Sequence, residues 1–287
     1  MDICPNTLCN APIKDHTAHQ CSRCGQFVWW PNYRKAIAER GDLDRRYADA
    51  VVDLKTKGID GLRVEIENVA AQGLPAITMS FEACNDLLTV SKYENYYHGV
   101  RSGRRTIANE ANHKSRETVH GALYPGYGEH LHYALFSPDG SGLPNYGQGD
   151  VTVCWNVTPQ YLGTRATLLE ENEFAFYDRH KLGARDAVPP AGYRAIWDDR
   201  GKLLVAKLAP SLSTFTKASD IRGLILKPAS NDRMKDVYVE VVIYGEKGLD
   251  GVDVAHVHLE KSPVTRTKQL SWELVKERCA AQNITEV

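Results

Sequence analysis

The sequence predicts an α+β protein whose largest part is a mainly antiparallel, two-sheet domain, preceded by a helical connector and a small cysteine-bounded module. Three observations carry this reading. From residue 95 onward, short β-branched and aromatic runs are separated by Gly/Pro turns, and helical periodicity is scarce until the C-terminus. Strands do not alternate with helices there, which argues against a doubly wound parallel sheet. Before it, apolar residues recur at three- and four-residue steps, and four of the seven cysteines crowd the first 24 positions. The boundaries read as 1–30 for the module, 31–92 for the connector and 93–287 for the main domain.

In the module, Cys4, Cys9, Cys21 and Cys24 have the spacing C-x4-C-x11-C-x2-C. Two close thiolate pairs can surround one tetrahedral zinc, and Gly25 after the last cysteine allows a tight turn. The expectation is a zinc ribbon, with a structural metal ion and His16 and His19 as spare nitrogen ligands. Cys84, Cys154 and Cys279 are scattered and read as buried thiols rather than as a disulfide framework.

"FVWWP" closes the ribbon with aromatics. The connector then reads as a helix from Tyr33 to about Lys57, carrying Ile37, Leu43, Tyr47, Val51 and Leu54 and weakened in its middle by Gly41. A shorter helix follows over 62–72, and Ser80 reads as the N-cap of another running to about Tyr93. In the main domain "DVTVCWNV" (150–157), "KLLVAKL" (202–208), "GLILK" (223–227), "DVYVEVVIYG" (236–245) and "DVAHVHL" (253–259) read as extended. "SPDGSGLPNYGQGD" (137–150) is a turn-rich loop, and "SWELVKERCAAQN" is a helix.

Bulk properties exclude several function classes. With a formal net charge of −1 over 287 residues, nucleic acid cannot be gripped by the whole molecule, only by a local patch. No run of about 18 apolar residues is present and the N-terminus lacks a basic-then-apolar signal, so the expectation is a cytoplasmic protein without a membrane partner. There is no G-x-G-x-x-G opening a helix, no G-x-x-x-x-G-K-[ST], no G-x-S-x-G and no H-E-x-x-H. A nucleotide, if used, is not held in a Rossmann or P-loop manner.

Three stretches nonetheless form an ordered set. "YYHGVRSG" places a His-Gly pair at a presumed strand end. "HLHYALFSPDGSGLPNYGQGDVTVCWNV" joins an aromatic-Ala strand, a Ser/Gly loop, an Asn-Tyr pair and a Gly-Asp strand. "DVYVEVVIYGEKGLDGVDVAHVHL" opens a strand with a glutamate. Together they resemble the His-Tyr-Glu motifs of the ADP-ribosyltransferase fold, the family that includes poly(ADP-ribose) polymerases and bacterial ADP-ribosylating toxins, over roughly residues 92–260. The resemblance implies NAD as substrate. His98 would bond a ribose hydroxyl and the Gly99 backbone would meet the nicotinamide amide. Tyr133 would help wall the pocket, Tyr146 would stack on the nicotinamide, and Arg101 with Arg104 and Arg105 would face pyrophosphate. Glu240 would steady the ribosyl cation, a task for which a fixed carboxylate is suited.

Two positions have rivals. His132 aligns almost as well as Tyr133. "LLEENEFAFYD" offers Glu173 in place of Glu240, with a Glu-Asn-Glu triplet resembling toxin branches that modify arginine or nucleic-acid bases. "RSGRRTIANEANHKSR" (101–116) is rich in Arg and Lys; such a run is commonly just a solvated face, and its place directly after His98 also reads as a polyanion-facing rim. The resemblance, the rim and the ribbon together imply a mono-ADP-ribosyltransferase, a bacterial toxin or defence effector modifying nucleic acid, RNA first, with an antitoxin protein as partner. A protein acceptor, an NAD glycohydrolase, or a non-catalytic zinc-ribbon module binding RNA or protein are the competing readings.

Overall fold

The computed structural model describes residues 2–4, 8–9, 11–13, 20–107, 109–143, 149–158, 162–229, 236–260 and 262–286. It opens with an antiparallel pair, β1 (Asp2–Ile3) and β2 (Pro12–Ile13). Cys4, Ala11, Ile13, Cys21 and Val28 form a small core of their own there. Trp30 leaves this module and stacks on Tyr244 of the main body at 5.1 Å, with the Arg165 guanidinium 4.4 Å from its ring centroid.

The long connector helix is two helices, α1 (Pro31–Ala38) and α2 (Arg40–Thr56), broken at Glu39 rather than at Gly41. A tertiary pull accounts for the break. The Glu39 side chain is buried and takes Arg194 Nη1 at 2.8 Å and the Gly192 backbone N–H at 3.3 Å. Asn32 of α1 reinforces the docking by donating to the carbonyls of Arg165 (2.7 Å) and Val242 (3.1 Å). α3 (Gly61–Gln72) falls where the periodicity puts it.

β3 (Leu74–Met79) lies inside the span read as wholly helical, and it is a central strand. α4 (Phe81–Val90) begins as expected, with Ser80 Oγ accepting from Ala83 N–H at 3.2 Å, and stops at Ser91 in the left-handed region. β4 (Lys92–Tyr93) follows. "YYHGVRSG" is not a strand end: Asn95 caps α5 (Tyr96–Arg101), which contains His98 and Gly99. The basic stretch runs on into α6 (Glu110–Leu123), capped by the Asn109 side chain.

β5 (Leu131–Ser137), β6 (Val151–Trp155) and β7 (Ala166–Leu169) precede α7 (Glu173–Arg179), and β8 (Arg194–Ile196) precedes α8 (Arg200–Leu208) and α9 (Ile221–Ile225). The last two correct the extended readings of 202–208 and 223–227. Short apolar runs fit either conformation, and here burial against α2 and α3 selects helix. β9 (Glu240–Tyr244), β10 (Leu249–Asp250), β11 (Val254–Leu259), α10 (Arg266–Ala281) and β12 (Thr285–Glu286) complete the chain.

Eight strands form a single sheet in the order β12-β11-β6-β3-β5-β9-β7-β8, antiparallel except for β11–β12, instead of two sheets. The halves meet along β3 and β5, whose pairing covers only Leu74↔Ser137, Pro75↔Phe136 and Ala76↔Leu135. One face of the β5-β9-β7 half buries Ala134, Phe136, Val241, Ile243 and Leu168 with residues of α2, α3 and α8; the other buries Leu131, Val242 and Leu169 under α6 and α7. Fully burying one such leucine or isoleucine contributes about 1.5–3 kcal/mol.

Removing Glu39 tests the tie between α1–α2 and the sheet. Glu39→Ala leaves Arg194, itself 3% exposed, as an unpaired buried cation. Urea unfolding is expected to show a loss of about 3–5 kcal/mol, most of it recovered when Arg194→Met is added.

Candidate functional site

Beyond Ala76↔Leu135, strands β3 and β5 part, and a cleft of about 410 Å³ opens between them. Ile77, Thr78 and Met79 line one wall, and Leu131 and Tyr133 the other. Asn95 closes the exposed end of β5: its Nδ2 donates to the carbonyls of Leu131 (2.7 Å) and Glu129 (2.8 Å) while its Oδ1 accepts from His98 N–H (2.8 Å). That cap sends Tyr96 and Tyr97 along the cleft rim with Tyr93. Arg105 and Arg116 bring the cleft its cations. Arg116 lies 5.3 Å from the Tyr96 ring centroid, within cation–π range. Arg105 lies across Gly99, where a Cβ would come within 2.8 Å of its Cδ; a helix residue with a side chain would push the arginine aside.

Behind Tyr133 stands a buried polar cluster. His120 Nε2 is 3.0 Å from Glu173 Oε1 and 3.0 Å from the Tyr133 hydroxyl, and His120 Nδ1 is 3.3 Å from the Tyr97 hydroxyl. Glu240 Oε2 accepts the Glu173 backbone N–H at 3.1 Å, and Asn172 Nδ2 donates to Glu240 Oε1 at 3.4 Å. Local sequence explains the arrangement. Asn172 caps α7 through Oδ1, which fixes Glu173 as its first residue, and Glu240 is the first residue of β9, pairing with Leu135 and Leu169. Glu173 and Glu240 are 2% and 3% exposed. Burial first, and then the neighbouring Glu173 carboxylate, hold the Glu240 carboxyl well above the ordinary range. Burial likewise pushes the Tyr133 phenol up, so it stays protonated.

Side chains alternate across a strand, so Tyr133 and His132 face opposite ways. Tyr133 shares its face with Val242 and Glu240, and its ring stacks 5.3 Å from His120. His132 turns to the other side, where its ring is 5.6 Å from His98 and 5.7 Å from Tyr93. Tyr133 and Glu240 are thus brought together with Glu173, whereas His98 stands apart with His132. Burial lowers the pKa of both imidazoles, that of His132 to about 3, which keeps them neutral.

Gly99 lines an adjoining cavity of about 240 Å³ that shares Tyr93 and Arg105 with the cleft. Arg101 pairs with Glu129 at 2.8 Å and Arg104 pairs with Glu94, so two rim cations are neutralised. Tyr146 lies outside the described residues. Sequence reading missed Asn95, Tyr97 and His120. His120 had a signal: it stands four residues after Arg116 in "NHKSRETVHGAL", and the two share a helix face once that stretch is read as a helix.

The four module cysteines form a second centre. Their sulfurs lie within 4.8 Å of one another, with Cys4–Cys24 and Cys9–Cys21 each at 3.7 Å. Tetrahedral thiolates around one zinc would be separated by about 3.8 Å, given Zn–S bonds of about 2.3 Å. Backbone N–H groups of Arg23 and Cys24 lower the Cys21 thiol to about 6, favouring the ligating thiolate. The set could hold a metal ion. His16 and His19 are outside the described residues. Among the described residues, no helix is long and apolar enough to cross a membrane.

No family model and no curated protein matches the chain.

Glu240 gives a stability test independent of any activity. Its folded pKa is raised above the ordinary 4.5, so above that pH the native state binds more protons than the unfolded chain. Stability is therefore lost as pH rises toward the folded pKa. Glu240→Gln retains an acceptor oxygen and removes the titration. Its melting temperature is expected to exceed that of the parent by a margin that grows from pH 5 to pH 8; a margin that is constant or shrinks rules out the buried acid.

Proposed function

We propose that this chain is an NAD-dependent ADP-ribosyltransferase that works in the cleft between β3 and β5. One observation carries the reading: two neighbouring buried acids, Glu173 and Glu240, stand behind a tyrosine that lines a cleft furnished with two arginines. Departure of nicotinamide leaves positive charge on the ribose. A carboxylate in a poorly screened interior acts strongly on such a cation. Arg105 and Arg116 suit a diphosphate, and Tyr93, Tyr96 and Tyr97 suit flat rings. The cleft volume falls in the range of small-molecule sites.

Of the residues suggested by the family resemblance, Tyr133 lines this cleft, and Glu240 stands behind it with Glu173. His98 lies beside His132 on the other side of β5, and His120 contacts Tyr133 from behind the cleft. The acceptor is RNA, met by Arg105, Arg116 and the exposed Lys114 of α6. A second reading, transfer to protein, is favoured by the Arg101–Glu129 and Arg104–Glu94 pairs, which lower the positive charge of the rim. A toxin or defence role rests on the resemblance alone. The module holds a structural zinc through Cys4, Cys9, Cys21 and Cys24.

Purified protein with adenylate-labelled NAD and separate RNA, DNA and protein fractions is expected to label RNA, in a form removed by nuclease and retained after protease. Glu240→Gln and Glu173→Gln should each lower labelling by about 10²-fold or more. Loss with Glu173→Gln alone would move the principal charge to Glu173. Free ADP-ribose without a labelled acceptor would make the protein a glycohydrolase, and neither product would leave a non-catalytic binding module.

Metal analysis is expected to find one zinc per chain, abolished by Cys21→Ala. A metal-free wild-type chain that melts as the loaded one does would remove the zinc from the account.

A further inference from the structure

We propose that His120 is a positioning residue that takes the acceptor's proton by way of Tyr133 and passes it to water in a cavity on its other side. The inference rests on the reading of the β3–β5 cleft as the NAD site, and it concerns how that site disposes of a proton.

Two partners compete for one atom of His120. His120 Nε2 lies 3.0 Å from Glu173 Oε1 and equally 3.0 Å from the Tyr133 hydroxyl. A ring nitrogen has either one proton or one lone pair. With Nε2 protonated, it donates to Glu173, and the Tyr133 O–H is released toward the cleft its residue lines. With Nε2 bare, Tyr133 donates to it and turns an oxygen lone pair to the cleft. The two partners cannot both be served in either state, so Tyr133 changes from acceptor to donor as the proton arrives. Glu173 sets the direction, because its Oε1, 3.0 Å away, accepts a hydrogen bond from Nε2 only once that nitrogen carries a proton.

In the transfer itself, the C1–N bond between ribose and nicotinamide breaks and its electron pair stays with the ring nitrogen, so nicotinamide leaves neutral. The acceptor heteroatom forms the new bond to C1 and must shed one proton. That proton passes to the Tyr133 oxygen while the Tyr133 proton passes to Nε2. His120 then carries both ring protons beside Glu173. Nothing else is consumed.

The exit is also built. His120 lines a second cavity, of about 300 Å³, together with Tyr97, Tyr124 and Tyr127; Tyr133 does not line it, and Tyr97 borders both spaces. The Tyr97 hydroxyl is 3.3 Å from His120 Nδ1, which gives the second ring proton a path out. Gly128 is packed on the imidazole: a Cβ there would come within 2.6 Å of His120 Cβ.

His120→Ala opens an imidazole-sized hole onto this cavity. In the full chain, its NAD turnover is expected to fall about 10²–10³-fold with KM little changed. Added imidazole should restore at least about tenfold of that loss, in proportion to its neutral form. A variant with the parent's rate and pH profile, or a folded variant that imidazole does not rescue, overturns the proposal while leaving the NAD reading intact. If the parent does not consume NAD at all, the NAD reading fails. A second measurement needs no turnover and survives a misfolded variant. Tyr133→Phe should shift the ¹⁵N resonances of His120 to a different tautomer balance, and unchanged resonances overturn the coupling.

Discussion

Three residue pairs, Leu74↔Ser137 to Ala76↔Leu135, hold the two halves of the eight-stranded sheet together. Strands twist, and a ladder that short lets them diverge at its free end. Where they diverge, backbone that would have been paired lines a cleft. The cost of an open strand edge is met locally: the Asn95 side chain supplies donors to the Leu131 and Glu129 carbonyls and at the same time starts the helix that carries Tyr96 and Tyr97 to the rim. A single asparagine thus couples the end of a strand to the wall of a cavity.

The same divergence explains why the cluster behind the cleft is buried and polar at once. α6 and α7 cover the β5-β9-β7 face, where apolar packing by Leu123, Phe176 and Tyr244 surrounds His120, Glu173 and Glu240. Desolvation penalises charge in such a place unless it is paired or neutralised. Both acids have partners: Glu240, its pKa raised by burial, accepts a backbone N–H, and Glu173 meets an imidazole. Groups held at this electrostatic disadvantage are those whose protonation changes most readily when a ligand alters the field, which is why such clusters are found at reactive sites. Glu39 and Arg194 form a buried pair too, but they line neither the cleft nor its two neighbouring cavities and tie α1–α2 to the sheet. Burial of charge alone does not separate a structural pair from a reactive one; the adjoining cleft does.

Several elements were legible in the chain because their signals are local. Ser80 caps α4, the β-branched runs at 151–155 and 254–259 are strands, and the cysteine spacing gives a four-sulfur cluster. Other expectations failed where a short apolar run fits two conformations. "KLLVAKL" and "LPAITM" are similar in length and hydrophobicity, yet the first is helix α8 and the second is strand β3, because each is buried against different neighbours. The helix containing His98 was read as a strand end because a six-residue helix has too few residues to show a period.

By itself the sequence determined which chemistry the chain could bring: four thiols at metal-binding spacing, a tyrosine strand, two candidate glutamates and a local excess of arginine. Those follow from residue type and near spacing, which a linear reading measures directly. Only the tertiary structure decided that Tyr133 rather than His132 faces the acids, that Glu173 and Glu240 are neighbours instead of rivals, and that His120 takes the place next to them. Facing depends on strand register and on the helices laid over each side, and both are set by contacts between residues up to about two hundred positions apart.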